Sequence, residues 1–600
     1  MPDAEIKAPV KAIRPDGAGV GQYIWFVGGI FLLLAAIGLG SIFFTSPYQK
    51  VLALGGFTYN DEGFYRLGLA LTPARYQVLR GLLAGGCMLG LLLVVGLRLS
   101  GRPVARLRAE LRYGQTRLQH WWHRLPASAK LVGVGLTLLL VAIRSWYLLN
   151  YPLGTDEVAS YDYFVREGPL AITSFYPIPN NHIFFNLLAW PLAKAGLSPR
   201  LVMRLPTLLL GTVGTVAAYA LLARQLGARL ATLVTGLVSL GPLWVYYAAV
   251  GRGYFVEICL VQLGFFAVVE LLRPASAYVR LSWLAFIGSS ILGLYTIPTY
   301  AYPLASLGVG LGGGLLVQRR WARLRELVAA GLVLLVVTAL LYAPIVAVSG
   351  WEKLVFNRYV AAKTAAQFWP PFRAILYETA AELFGPSLRL SGPAWLAGAL
   401  LGGVVVGRWV PAGPRRTMGL LAWVLLALPL LLMAAQRVYA PVRTILYLTF
   451  FGYLLGALLL MRLPIRRWLA ARWQWPVIMG LIIGIGGFRL YRHQAQVAAS
   501  RYETQQLEQG YRWLNSQRAG TTQPMSVWLY SPLHELFFAH YATQEARPHL
   551  RLQSGGKEGP SGAYDFVVLD NYFSATAKAL EARYQPVYHD YLVTIYIPKP

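Results

Sequence analysis

The feature that most limits what this chain can fold into is a train of apolar runs, each about 20 residues long, that continues from residue 22 to residue 490. A helix of that length is the form in which a backbone crosses hydrocarbon, because every N–H and C=O can be satisfied within the segment. About thirteen such spans can be placed, the first at 22–44 and the last at 475–490. Composition agrees: 56% of the 600 residues are apolar and 13% are charged, too few charges to coat a water-soluble protein of this size. The first run is too long for the core of a signal peptide and is read as retained. The segment 182–200, HIFFNLLAWPLAKAGLSPR, is apolar but short and interrupted by Pro191, so it is expected to lie in the interface rather than cross.

The formal charge of +29 invites a nucleic-acid reading, which its distribution excludes. Basic residues gather in short loops at Arg98–Arg124, Arg224–Arg229, Arg273–Arg280, Arg319–Arg325, Arg408–Arg416 and Arg462–Arg472. With a cytoplasmic amino terminus and strict alternation, all of these loops fall on the cytoplasmic side. Residues 45–76, 151–203, 349–393 and the tail then lie on the other side. The tail changes character: PMSVWLY, YDFVVLD and YLVTIYI read as strands, and SATAKALEARY as a helix between two of them. Three regions follow, a two-helix extension with a basic loop (1–128), a membrane domain (129–490) and a small α/β domain outside the membrane (491–600). Cys87 and Cys259 both sit in apolar runs and form no disulfide framework.

The chemistry-bearing stretch follows the span near 129–150: GTDEVASYDYF places Asp156, Glu157 and Asp162 within seven residues at the mouth of a membrane helix. Acids in a first helical turn are favoured by the helix dipole, with Thr155 or Asp156 at the helix start. Here, however, Tyr161, Tyr163, Asn180, Asn181 and His182 share the same loop. A carboxylate in that setting can serve as the base that takes a proton from a hydroxyl or amide acceptor.

GTDEVASYDYFVREGP, YPIPNNHIFFNLLAWPL and the run from RLPTLLLG to GRGYFVEICL resemble the amino-terminal half of the membrane glycosyltransferases of the C superfamily. The resemblance is to the protein O-mannosyltransferase and lipid A aminoarabinose transferase branch, and it covers roughly residues 130–275. It implies a multi-span enzyme of the bacterial-type cytoplasmic membrane, taking a sugar from a polyprenyl-phosphate carrier at the outer face. Asp156 corresponds to the catalytic carboxylate of that family and Glu157 to its neighbour. His182 falls at the position of a His-Pro-Pro element, although the turn here reads Pro179-Asn180-Asn181-His182. Tyr161, Asn181, His182 and Tyr254 are the expected substrate-binding residues.

A lipid-phosphate donor leaves a phosphate behind, so cations are required on the side of the base. Arg252, Arg437 and Arg443 are the candidates. Arg443 stands out because it follows Pro441 at the start of a span. The loop 349–393, with Lys353, Arg358, Lys363 and Arg373 among aromatics, reads as an interfacial amphipathic helix that could also cover the site. No cofactor is expected to be required; Asp156 and Glu157 could share a divalent ion, but two adjacent carboxylates without a third ligand are a weak metal signal. The expected partners are the lipid-linked donor, the membrane and an acceptor of unassigned chemistry. A polytopic transporter or lipid flippase is the rival reading, which the scarcity of acids within the spans disfavours.

Overall fold

A computed structural model describes residues 19–60, 63–66, 68–99, 103–355, 361–385, 392–461, 471–517, 524–545, 550–554, 560, 562–571 and 578–600. Among the described residues nine helices are long and apolar enough to cross a membrane, running from Val20–Thr45 to Pro414–Gln436. Four shorter apolar helices accompany them: Ile183–Lys194, Ala228–Ser239, Leu400–Trp409 and Tyr447–Leu460. The architecture is a bundle of membrane helices carrying a small sheet domain, as the sequence predicts.

The basic loops gather at one end of the bundle. There, arginines satisfy carbonyls that helix ends leave without partners. Arg320 donates to Leu271 O at 2.9 Å, Arg415 to Gln225 O at 3.0 Å, and Arg273 to the Gln225 side chain at 3.0 Å. The basic helix Pro103–Arg124 is fastened to the same end by its single acid. Buried Glu110 accepts from the Leu281 N–H at 2.9 Å and pairs with Arg280 at 3.4 Å, which satisfies a first-turn N–H of the helix Val279–Thr296. Residues 462–470 of the last basic loop, and Arg358, lie outside the described residues.

The opposite end carries the acidic loop. The helix Ile183–Lys194 has 12 residues, about 18 Å of rise, well short of hydrocarbon thickness. It does not cross. It leaves His182 and returns to the same end, where Arg200, in the first turn of Pro199–Leu226, donates to Leu149 O at 2.8 Å.

The tail is reached by one helix of 46 residues, Ala471–Ser516, so the expected boundary at 491 falls inside a continuous element. Its sheet runs Leu550–Ser554, Met525–Leu529, Phe566–Asp570, Val593–Pro598, Tyr584–His589, with the first three strands parallel and Val593–Pro598 antiparallel to both of its neighbours. The three apolar runs read from the sequence are three of these strands; Leu550–Ser554 and Tyr584–His589, partly exposed at the two edges, lack that signature. Residues 572–577, most of the start of the expected SATAKALEARY helix, lie outside the described residues. The helix Pro532–Gln544, which the sequence reading passed over, does the docking. Its Leu536 and Phe538 share a buried cluster with Val158 and Ala159 of the acidic loop, and His540 pairs with buried Asp162 at 3.0 Å. The carboxyl domain therefore builds its core partly from residues adjacent to Asp156.

Candidate functional site

Gly154 is extended at φ −79° and ψ 160° and caps the short helix Thr155–Ser160, which starts at Thr155, one of the two starts that the sequence suggests. The chain then continues through a π-helical turn, Tyr161–Val165, whose closing bond runs from Arg166 N–H to Tyr161 O at 2.8 Å. Successive side chains on a helix diverge by about 100°, and this separates the two adjacent acids completely.

Glu157 turns inward and is 1% exposed. Its Oε1 accepts from Arg204 Nε at 2.8 Å and Gly251 N at 2.7 Å; its Oε2 accepts from Arg204 Nη2 at 2.6 Å and Gly154 N at 3.0 Å. Arg204 directs its remaining N–H groups to Leu148 O, Tyr151 O and Pro152 O at 2.9, 2.8 and 2.7 Å, so the whole guanidinium fork is used. Burial alone raises the Glu157 carboxyl, but Arg204 and the two backbone donors outweigh it and leave the group below its ordinary value. The pair ties a span end, the acidic helix and the Gly251 loop to one point. Gly251 itself leaves no room for a side chain, since a Cβ there would sit 2.5 Å from the Met203 Cβ.

Asp156 turns outward and its side chain is 47% exposed. Its Oδ2 lies 3.6 Å from Arg252 Nη2 and 3.9 Å from Arg443 Nη1, separations too long for hydrogen bonds. The carboxylate is thus held by field rather than by contact, and it keeps lone pairs for another donor. Arg252 is 2% exposed and is fixed by Ser160 Oγ at 2.6 Å, Asp156 O at 3.0 Å and Asn180 O at 3.3 Å. Both guanidinium groups lie over one ring: Arg252 Cζ is 5.7 Å and Arg443 Cζ 5.8 Å from the centre of Tyr254.

His182 meets the edge of the same ring at 4.7 Å between centroids. Its Nδ1 accepts from Gly253 N–H at 2.9 Å, so the neutral ring carries its hydrogen on Nε2. That nitrogen lies 3.2 Å from Arg252 Nη2, which can only donate. Two donors therefore converge beside Asp156, an arrangement that suits a shared anionic oxygen. Burial first, then Arg252 and Arg443, push the His182 pKa well below its ordinary value. As pH falls below about 6.5 the unfolded chain takes a proton that the folded ring refuses, so stability is lost with acidification. His182→Asn is expected to flatten the decline of the thermal midpoint between about pH 6.5 and 5. An unchanged slope in that variant would remove His182 as its source.

The other expected residues are placed differently. Asn181 is buried and committed to the loop, donating to Ile172 O and Phe175 O at 2.9 Å each and accepting from Asn186 at 3.0 Å. Tyr161 is 9% exposed and packs among Phe185, Val202 and Met203. Arg437 is exposed at the carboxyl end of Pro414–Gln436 in a left-handed conformation, and Asp156 is not among its ion-pair partners. Among the described residues no three His, Cys, Asp or Glu side chains are grouped as a metal site, and both oxygens of Glu157 are engaged by hydrogen-bond donors. Arg204 and Ser160 are participants that the sequence reading did not select. An arginine inside an apolar span was the available signal for the first; nothing marked the second.

No family model and no curated protein matches the chain. Among solved structures it is similar to ArnT from Cupriavidus metallidurans bound to undecaprenyl phosphate, at 14% identity and a TM-score of 0.50, covering 79% of this chain and 98% of that one. The apo form of ArnT gives 13% identity and a TM-score of 0.48, over 77% and 98% of the two chains. The arabinosyltransferase EmbB from Mycobacterium smegmatis gives 14% and 0.35, over 85% and 49%. The chain has an ArnT-like fold.

Proposed function

We propose that this protein transfers a sugar from a polyprenyl-phosphate carrier to an acceptor at the outer face of a bacterial-type cytoplasmic membrane, inverting the anomeric centre. The observation that carries the reading is a half-exposed Asp156 standing 3.6 and 3.9 Å from two arginines that both lie against the ring of Tyr254. A base and a phosphate cradle need that juxtaposition. The acceptor's oxygen or nitrogen bonds to the anomeric carbon as the bond from that carbon to the phosphate oxygen breaks. The acceptor proton passes to Asp156, and the electron pair of the broken bond stays on the lipid phosphate. Arg252, Arg443 and the Nε2–H of His182 stabilise the charge that develops there. Glu157 and Arg204 hold the helix that presents Asp156. That ArnT has been solved with undecaprenyl phosphate supports a lipid-phosphate ligand for this fold. The placement of the carboxylate at the rim of the bundle favours an enzyme over a transporter, whose ionisable groups belong near the midplane.

The test is the purified protein in liposomes with a polyprenyl-phosphate sugar and a set of hydroxyl and amide acceptors. Release of lipid phosphate should depend on acceptor and should persist in EDTA. Arg252→Gln should slow it by about 10²–10³-fold, as loss of a charge-stabilising donor does elsewhere. Acceptor-independent release, or none with any donor, would defeat the reading.

A further inference from the structure

Arg144 is used by nothing above. It lies in the span Ala127–Asn150, six residues from its end and so about 9 Å in along the axis. It is 1% exposed. Intramembrane arginines ordinarily pair with a carboxylate or with backbone carbonyls. Here Nη2 donates to Thr215 Oγ at 3.0 Å, while Nε and Nη1 have no hydrogen-bond partner. Among the described residues no carboxylate pairs with it, and the titratable group beside it is the Cys259 thiol. The Phe255 ring, 5.0 Å from Cζ, offers one cation–π contact, which is no substitute for a counter-charge in hydrocarbon.

Arg144 also lines a cavity, together with Thr137, Thr212, Thr215, Tyr219 and Thr235. The cavity is about 10 Å³, room for one water-sized sphere. Thr137 and Thr215 spend their hydroxyl hydrogens on Gly133 O and Gly211 O at 2.9 and 2.7 Å. The two unpartnered nitrogens of the guanidinium are the charged donors that an occupant would meet.

We infer that this cavity is a binding site for a small monatomic anion, a halide, held by the Nε and Nη1 hydrogens of Arg144. Charge favours an anion, and the small space favours a monatomic one over a tetrahedral oxyanion. The site is separate from the Asp156 cluster and stands whether or not the proposed transfer activity is correct.

The full chain in detergent, exchanged into gluconate, should gain thermal stability saturably when chloride or bromide is restored. Gluconate, sulfate and phosphate should not reproduce the gain, and Arg144→Gln should lose its dependence on halide. Because that variant could fail to fold, crystals of the wild-type protein grown in bromide supply an independent measurement, an anomalous peak at the guanidinium. Absence of that peak would leave water as the occupant and overturn the inference. An equal, Arg144-dependent response to sulfate or phosphate would overturn it too, in favour of a lipid phosphate or free oxyanion.

Discussion

Asp156→Asn is expected to lower turnover by about 10²–10⁴-fold, the range that a positioned general base contributes. Asparagine keeps the shape and removes only the capacity to take a proton. Because the Asp156 side chain is 47% exposed and its ion pairs are 3.6 and 3.9 Å long, little stability rests on it. The variant should insert, fold and melt close to wild type. Donor binding should also persist, because Arg252 is held through the backbone oxygens of Asp156 and Asn180 and the hydroxyl of Ser160, none of which changes. The informative experiment measures kcat and the donor Kd together. A fall in kcat at constant Kd fits a base; a variant with near-normal turnover would end the assignment.

Glu157→Ala is expected to fail earlier, at folding. The substitution leaves Arg204 fully buried with its charge uncompensated and strips an acceptor from Gly154 N and Gly251 N. Removing one partner of a buried pair costs about 3–5 kcal/mol, a large share of the ~5–15 kcal/mol that separates folded from unfolded protein. Yield after membrane extraction and the midpoint of thermal unfolding report it. The double variant Glu157→Ala/Arg204→Met should regain little, because Leu148 O, Tyr151 O and Pro152 O lose their donors. Full recovery would show that the pair contributes no more than mutual neutralisation. Two neighbouring carboxylates thus give opposite signatures, lost chemistry on a sound scaffold and a lost scaffold.

Their divergence shows where sequence reasoning stopped. Asp156 and Glu157 are adjacent in sequence and read as one motif, yet a turn of about 100° per residue sends one to solvent and the other into the bundle. Arg252 and Arg443 were legible as cations at the proper end of their helices. That both meet the ring of Tyr254, while Arg437 stands apart, follows from packing between helices nearly two hundred residues distant in sequence. Asn181 looked like a ligand-binding amide because its chemistry suits one; its partners Ile172 O and Phe175 O consume it within the loop. The docking helix Pro532–Gln544 was passed over because its polar residues, including Glu535 and His540, obscure an apolar signal. Both of those side chains are buried in the structure.

Sequence alone determined the class of molecule: apolar length dictates spanning helices, the grouping of arginines dictates which loops share a side, and alternation places the acidic loop opposite them. Hydrophobic transfer and loop charge act on local segments, so they can be read locally. Only tertiary structure decided which carboxylate faces outward, which arginines stand over it and which domain supports its helix. Those outcomes depend on side-chain directions and on hydrogen bonds between distant segments, which no local pattern encodes.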